Sequence, residues 1–123
     1  MTSKIQTLRF LILSDTHGQD FFDDMEGEPH WIQGDMPKAD VVLHCGDLTN
    51  RGSIPDNAAS ISMLSAFNAE LKLVIAGNHD ISLDKDANTG PEMLQTHIKV
   101  IRMWTGHEAK AAGIHYLTEG FRK

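Results

Sequence analysis

The sequence predicts an α/β fold, mainly one parallel sheet with crossover helices. Three short apolar segments rich in β-branched residues indicate buried strands, and each ends at a cluster of small polar residues. The strand ends are spaced by about 30 residues, which is the usual size of a βαβ unit. Nearly continuous rather than alternating hydrophobicity is typical of parallel strands that are covered on both faces. The three segments are Leu8–Leu13, Ala39–Cys45 and Leu71–Ala76.

The connections between and after these strands carry helical patterns. Between Ile54 and Leu71, apolar residues recur every three or four positions, which predicts an amphipathic crossover helix. The stretch from Pro91 to Met103 predicts a second helix that runs into a strand, and Gly113–Leu117 predicts a last strand. We expect residues 1–123 to form a single domain.

The segment Gln19–Pro37 differs in kind from the rest of the chain. It holds six carboxylates and no Lys or Arg, together with Phe21, Phe22 and Trp31. We interpret it as an exposed acidic excursion anchored by these aromatic residues, and the alternative is a lid near a metal site.

Length, charge and cysteine content exclude several classes of protein. The chain has 123 residues, a formal net charge of −6 and no cluster of Lys and Arg, so neither a nucleic-acid backbone nor an anionic membrane is the expected partner. Cys45 is the only cysteine, which excludes an intramolecular disulfide and is typical of a reducing compartment. The N-terminus lacks the apolar core of a signal peptide, and no apolar run reaches membrane-spanning length. A cytoplasmic location is therefore the expectation, with the nucleus or an organelle matrix as alternatives.

Polar residues of complementary chemistry follow the three predicted strands. Asp15 and His17 follow the first strand, Asp47 follows the second, and Asn78 and His79 follow the third. Because the carboxyl ends of parallel strands meet at one edge of a sheet, these residues are expected to share a ligand-binding edge. Carboxylate oxygen combined with imidazole nitrogen suits Zn, Fe or Mn, and a carboxylate can bridge two ions. His79 is free to donate a proton.

Each of these residues also has an ordinary structural interpretation. Asp15 is compatible with a helix N-cap, Asp47 with a turn, Asn78 with a left-handed turn, and His79 with a surface histidine. Three complementary clusters at three successive strand ends are hard to obtain from capping alone. The metal-site interpretation is therefore preferred.

The amino-acid sequence around these residues resembles that of a known family. Ser14–Gly18, His44–Thr49 and Ala76–Asp80 resemble the first three signature blocks of calcineurin-like metallophosphoesterases. The surrounding sequence, including the stretch from Trp104 to Glu119, is similar to the small cyclic-nucleotide phosphodiesterase-like subfamily and its fungal members. The resemblance implies that the chain holds the N-terminal half of the family's αββα sandwich.

The resemblance also implies a role for each site residue. Asp15 and His17 would hold one metal ion, Asp47 would bridge, and Asn78 would hold a second ion, with Mn, Fe, Zn or Mg as the candidates. His79 would be the catalytic residue that contacts the phosphate and protonates the leaving oxygen. The implied reaction is hydrolysis of a phosphomonoester or phosphodiester, cyclic nucleotides included, by a metal-bound hydroxide.

The chain departs from the family pattern after the third block. The family's later metal-binding histidine and its Gly-His-x-His motif have no counterpart in the sequence, because Gly106-His107 is followed by Glu108-Ala109. We therefore interpret the remaining histidines outside the blocks as structural or surface residues. They are His30, His97, His107 and His115.

Two residues beside the second block have weaker assignments. Arg51 follows Asn50 where some phosphatases of the family have Asp-Arg, so Arg51 is a candidate phosphate contact, and a solvated loop arginine is the alternative. His44 precedes the turn that carries Asp47 and is a candidate for supporting the ligands from behind.

With one of the family's two sheets represented, an apolar face of the sheet is expected to stay uncovered. A homodimer or another partner is expected to cover that face. The competing interpretation of function is a non-catalytic, shortened relative that binds metal weakly or acts as a binding module. A dinucleotide-binding protein ranks third, because no Gly-x-Gly-x-x-Gly follows the first strand.

Overall fold

The structure is a computed structural model that describes residues 6–18, 38–84 and 90–118. Within these ranges the chain forms four strands, three α-helices and one 3-10 turn. The strands are β1 (Phe10–Leu13), β2 (Val41–His44), β3 (Leu71–Val74) and β4 (Ile114–Tyr116). The helices are α1 (Ile54–Ala66), α2 (Pro91–Thr105) and α3 (His107–Ala111), and the 3-10 turn is Ile81–Leu83. The predicted acidic excursion, Gln19–Pro37, and its His30 lie outside the described residues.

The four strands form one parallel sheet in the order β1-β2-β3-β4. Leu13 pairs with His44, and His44 pairs with Val74, so the first three strands end level with one another. The loops that follow them therefore start from one edge of the sheet. The predicted fold class, an α/β domain with one parallel sheet, is confirmed.

Helix α1 is the predicted crossover between β2 and β3. The Ser53 side chain caps its first turn by accepting a hydrogen bond from the Asp56 backbone N–H at 3.1 Å, and Pro55 occupies a first-turn position where no backbone donor is needed. The helix ends at Ala66, because Phe67 takes an extended backbone conformation. Met63 and Leu64 on its inner face are fully buried.

The hydrophobic core lies between the sheet and the helices. Trp104 of α2 is fully buried there, and its indole N–H donates a 2.8 Å hydrogen bond to the side-chain oxygen of Asn57 in α1. This pairing satisfies the polar atom of the largest core side chain. The other fully buried apolar residues of the core include Val42, Leu48, Met63, Leu64, Val74 and Val100.

The prediction that Pro91–Met103 runs into a strand is wrong in its second half. Helix α2 continues to Thr105, and the short helix α3 follows it directly. Val100 and Trp104, four residues apart, point to the core from the same helical face. The predicted last strand is confirmed as β4.

Within the described part of the chain, the second face of the sheet is uncovered along β1, whereas Val41, which pairs with Phe10 on the neighbouring strand, is buried. Phe10 is 53% exposed and Ile12 is 65% exposed, and both lie on the face opposite Leu13. The expectation that the strands are covered on both faces therefore does not hold for β1 among the described residues, and the expected uncovered apolar surface lies along this strand. No helix in these ranges combines the length and the apolar character needed to cross a bilayer.

Candidate metal centre

The three predicted ligand-bearing loops run side by side at the carboxyl edge of the sheet. The Asp15 backbone N–H donates to Gly46 O at 2.9 Å, and the His17 N–H donates to Asp47 O at 3.1 Å. The loops after β2 and β3 approach each other through Gly46 and Gly77, since a Cβ atom on Gly46 would lie 2.9 Å from the Gly77 Cα. A side chain on either glycine would force the loops apart.

The structure brings Asp15, His17 and Asp47 together. Ligand atoms of these three side chains all lie within 4.8 Å of one another. The same three residues are the non-glycine residues with positive φ in the described chain, at 58°, 52° and 56°. Left-handed backbone costs free energy at non-glycine residues, and such outliers cluster at functional sites. Three of them on three converging side chains mark this edge as a site.

The state of the His17 imidazole fits a metal ligand. Its Nε2 atom lies 3.8 Å from Asp15 Oδ1, and its Nδ1 atom is buried with no hydrogen-bond partner among the described residues. A buried polar atom without a partner is costly. Two carboxylates and one imidazole form a donor set suited to a divalent transition-metal ion. The residues present therefore fit such an ion.

Asp47 is held as a carboxylate. The His79 backbone N–H donates to Asp47 Oδ1 at 2.9 Å, and this hydrogen bond is the main reason that the pKa of Asp47 is lowered from its ordinary value. The carboxylate is thus charged well below neutral pH. It is also linked to the loop after β3, which carries the other predicted site residues.

The predicted catalytic residue, His79, lies at the edge of this cluster. Its Nδ1 atom is 2.8 Å from Asn50 O, and because a carbonyl oxygen can only accept, Nδ1 carries the proton. The ring meets the His17 ring edge-to-face, with centroids 4.9 Å apart. Its Nε2 atom makes no hydrogen bond among the described residues. Asn50, which breaks the family's Asp-Arg pattern, orients this ring through its main chain.

Asn78 and Arg51 lie on one open depression with His79. The depression has a volume of about 520 Å³ and is also lined by Asn50 and Ile81. The guanidinium of Arg51 makes no ion pair within the described part of the chain. Arg51 is therefore placed where an anion beside His79 would meet a free positive charge.

Sequence reasoning missed the residue that holds the loops together, Asp80. Its carboxylate is 1% exposed and accepts hydrogen bonds from Gly77 N at 2.8 Å, Leu48 N at 3.0 Å and Thr49 N at 2.8 Å. It also accepts from the Thr49 hydroxyl at 2.7 Å. Four donors from two loops converge on one buried carboxylate, so Asp80 fixes the loop after β2 relative to the loop after β3. An acidic residue directly after Asn78-His79 was the available signal.

His44 supports the site from below, as the sequence suggested. The Gly46 N–H donates to its Nδ1 at 3.2 Å, so Nε2 carries the proton and donates to the Thr16 hydroxyl at 2.8 Å. Burial lowers the pKa of His44 to about 4, against partial compensation from Asp80, Asp15 and Asp47. A neutral imidazole therefore bridges the loops after β1 and β2.

The remaining described histidines lie elsewhere. His97 donates from Nδ1 to Ser82 O at 2.7 Å and so ties α2 to the 3-10 turn. His107 begins α3 and His115 lies in β4, and both are exposed.

Comparison with known proteins agrees with this geometry. The chain is 34% identical over 83 residues to a UPF0046 protein of Caenorhabditis elegans, covering 68% of this chain and 25% of the relative. It is 36% identical over 78 residues to human metallophosphoesterase domain-containing protein 1, covering 63% of this chain and 21% of the relative. It is 28% identical over 101 residues to a probable rhamnogalacturonate lyase C of Emericella nidulans, covering 72% of this chain and 10% of that protein.

The chain therefore spans a quarter or less of the length of each of these three curated relatives. The family match, in contrast, runs along almost all of it. Residues 8–121 match the calcineurin-like phosphoesterase family, and this range includes the four strands, the converging carboxylates and His79. The chain belongs to the calcineurin-like phosphoesterase family.

Proposed function

We propose that this chain carries out metal-dependent hydrolysis of a phosphomonoester or phosphodiester, with cyclic nucleotides among the candidate substrates. The observation that carries the proposal is the convergence of Asp15, His17 and Asp47 within 4.8 Å, each on a left-handed backbone. His79 lies beside them, and its Nε2 makes no hydrogen bond within the described ranges. Membership in the phosphoesterase family supports the same reaction class.

In this proposal the metal ligands are Asp15, His17, Asp47 and Asn78. Asp15 and His17 would hold one divalent ion, Asp47 would be shared between it and a second ion, and Asn78 would offer a neutral oxygen to the second ion. A divalent ion bound there supplies positive charge that makes water more acidic and offsets the charge on phosphoryl oxygens. Mn, Fe, Zn and Mg are the candidates, because the ligands are carboxylate, imidazole and amide groups.

His79 and Arg51 act on the phosphate in this proposal. The Nδ1 proton of His79 is donated to Asn50 O, so Nε2 is the nitrogen that would take up a second proton and deliver it to the leaving oxygen. Arg51, unpaired within the described residues, binds the phosphoryl oxygens from the neighbouring wall. The two side chains line the same depression, which supports a shared ligand.

The test is turnover of bis(p-nitrophenyl) phosphate and of cyclic nucleotides by the purified chain with added Mn²⁺. We expect hydrolysis above the rate of an Asp47→Ala control. Elemental analysis of the same preparation measures bound metal independently of turnover. Metal at the site with no hydrolysis above the control would leave a binding protein and refute the enzyme.

A second candidate function, a non-catalytic binding module, is favoured by the uncovered sheet face. Phe10 and Ile12 are both more than half exposed, and large apolar patches mark interaction sites. We propose that a second copy of the chain covers this face. Sedimentation equilibrium of the chain and of Ile12→Lys tests the proposal: we expect the wild type to be dimeric and the variant monomeric, and a monomeric wild type would refute it.

We propose a cytoplasmic location for the chain. Its single cysteine, Cys45, supports this proposal, because proteins of reducing compartments rarely rely on disulfides. Imaging of the tagged protein in cells tests this placement, and an extracellular signal would contradict it.

A further inference from the structure

Two depressions meet at the carboxyl edge of the sheet. The first, described above, is lined by Asn78 and His79. The second has a volume of about 270 Å³ and lies between the 3-10 turn and the start of α2. Arg51 and Ile81 line both depressions, so the second one opens directly beside the proposed phosphate position. We refer to the second depression as the side groove, and its other walls include Glu92, Met93 and Thr96.

The walls of the side groove are held by buried polar contacts. The Asn57 side-chain amide donates to Ser53 O at 2.8 Å and reaches Gly52 O and Ser82 Oγ at 3.3 and 3.4 Å. Gly52 has a φ of 79°, and a Cβ atom there would lie 2.8 Å from the Ser82 backbone nitrogen. The loop that holds Gly52 is thus in direct backbone contact with the 3-10 turn. His97 ties α2 to the same turn through Ser82 O.

These contacts fix the walls of the side groove, so its concave shape is pre-formed. One wall is the loop with Gly52 and the other is the 3-10 turn with Ser82. The buried amide of Asn57 contacts both walls, and His97 of α2 contacts the 3-10 turn. Pre-formed concave sites bind with less loss of conformational entropy than surfaces that must order on binding.

The side groove offers three kinds of contact. Ile81 and Met93 are both exposed and provide apolar surface, and the Met93 thioether favours the edge of an aromatic ring. The Arg51 guanidinium can stack on a ring face. The Glu92 carboxylate is exposed, makes no ion pair within the described residues, and can only accept hydrogen bonds.

We infer that the side groove binds the alcohol portion of the substrate and favours an aromatic group carrying an N–H or O–H donor for Glu92. The inference rests on the proposed function and adds the residues that select the leaving group. In the reaction, water adds to phosphorus and the P–O bond to the aromatic alcohol breaks. The attacking water gives up one proton, and Nε2 of His79, protonated beforehand, gives a proton to the leaving oxygen, so the products are the free alcohol and phosphate.

The test compares two esters whose leaving phenols have nearly equal acidity, phenyl phosphate and 3-aminophenyl phosphate. With Mn²⁺ present, we expect the full chain to prefer the amino compound by about 10-fold in kcat/KM, because a hydrogen bond to a charged group is worth that much. In Glu92→Leu this ratio should fall to about 1. Glu108→Leu is the matched control, since Glu108 is also an exposed first-turn glutamate, but of α3.

A second comparison tests the apolar wall. Met93→Ala should lower kcat/KM for both aromatic esters by about fivefold, as expected for the loss of partly buried apolar contact. Leu94→Ala, a neighbour of similar exposure (47% against 44%) that does not line the groove, should leave both values unchanged.

The outcomes separate this inference from the proposed function. Turnover of both esters with the same ratio in wild type, Glu92→Leu and Glu108→Leu would overturn the side groove and leave the phosphoesterase standing. No turnover above Asp47→Ala would overturn the phosphoesterase. Binding of 3-aminophenylphosphonate and phenylphosphonate with Mn²⁺, measured by calorimetry, then decides the groove alone, and equal affinities in wild type would overturn it.

Discussion

The rim of the carboxyl edge and the layer directly beneath it differ in how their polar groups are satisfied. On the rim, Asp15, His17 and Asp47 take left-handed backbone conformations, and one buried imidazole nitrogen has no partner among the described residues. In the layer beneath, Asp80 accepts four hydrogen bonds and His44 has partners on both ring nitrogens. The rim thus has strained backbone and a polar atom without a partner among the described residues, whereas the side chains of Asp80 and His44 have hydrogen-bond partners.

This difference indicates that the rim residues serve function and that the residues beneath them serve stability. Strain and unsatisfied polar atoms persist only where the surrounding structure enforces them. The buried layer enforces the rim, because Asp80 and His44 lock three loops together. Rim substitutions should therefore abolish function with little loss of stability, and substitutions in the buried layer should cost stability first.

The strongest test of the rim is Asp47→Gly. Loss of the carboxylate should lower metal-dependent hydrolysis by at least about 100-fold, as for removal of a group that stabilises the transition state. Glycine relieves the positive φ, so the melting temperature should hold or rise. Phosphodiester turnover and thermal unfolding measure the two effects. A large fall in melting temperature would contradict the proposal that rim residues contribute little to stability.

The matching test of the buried layer is Asp80→Asn. In the wild type, the backbone N–H groups donate to the carboxylate oxygens of Asp80. In the variant, the amide NH2 group replaces one of these oxygens and faces the same donors, so we expect a loss of about 3 kcal/mol in the free energy of unfolding. Urea denaturation measures this loss. Glu70→Gln is the control, because Glu70 is exposed and directly precedes β3, the strand that the loop with Asp80 follows. An Asp80→Asn chain as stable as the control would show that Asp80 does not hold the loops.

The smallest of these effects concerns the pH dependence of stability. The pKa of His44 is about 4 in the folded chain and about 6.5 in the unfolded chain, so the unfolded state binds the proton first as the pH falls. The stability is complete above pH 6.5 and is lost progressively toward pH 4. Between pH 7.5 and 5 the loss should be about 2 kcal/mol.

The measurement is urea denaturation at both pH values for wild type and His44→Gln. The glutamine does not titrate, so its stability should change less over this interval. His115→Gln, an exposed position in β4 of the same sheet, should retain the wild-type dependence. Identical pH dependence in all three chains would exclude a neutral, buried His44 as the cause.

Much of this architecture could be predicted from local pattern. The three strands, the crossover helix and the last strand follow from apolar runs and spacing, because these signals are local. The end of α2 could not be predicted in this way. Val100-Ile101 satisfies a strand pattern and a helix pattern equally, and packing of Val100 and Trp104 against the core decides between them.

The candidate site divides along the same line. Asp15, His17, Asp47, Asn78, His79 and Arg51 could be named from their positions after predicted strands and from the family resemblance. Asp80 could not be given a role, because its donors, Leu48 and Thr49, are about 30 residues away in sequence. The side groove also depends on segments that are distant along the chain.

The sequence by itself determined the order of the elements, the residue types at the sheet edge and the membership in a phosphoesterase family. The tertiary structure decided which of those residues converge, which nitrogen of His79 and His44 carries the proton, and which carboxylate is buried. The reason is physical: propensity and periodicity act over a few residues, whereas convergence, burial and hydrogen-bond satisfaction depend on distant segments packed together.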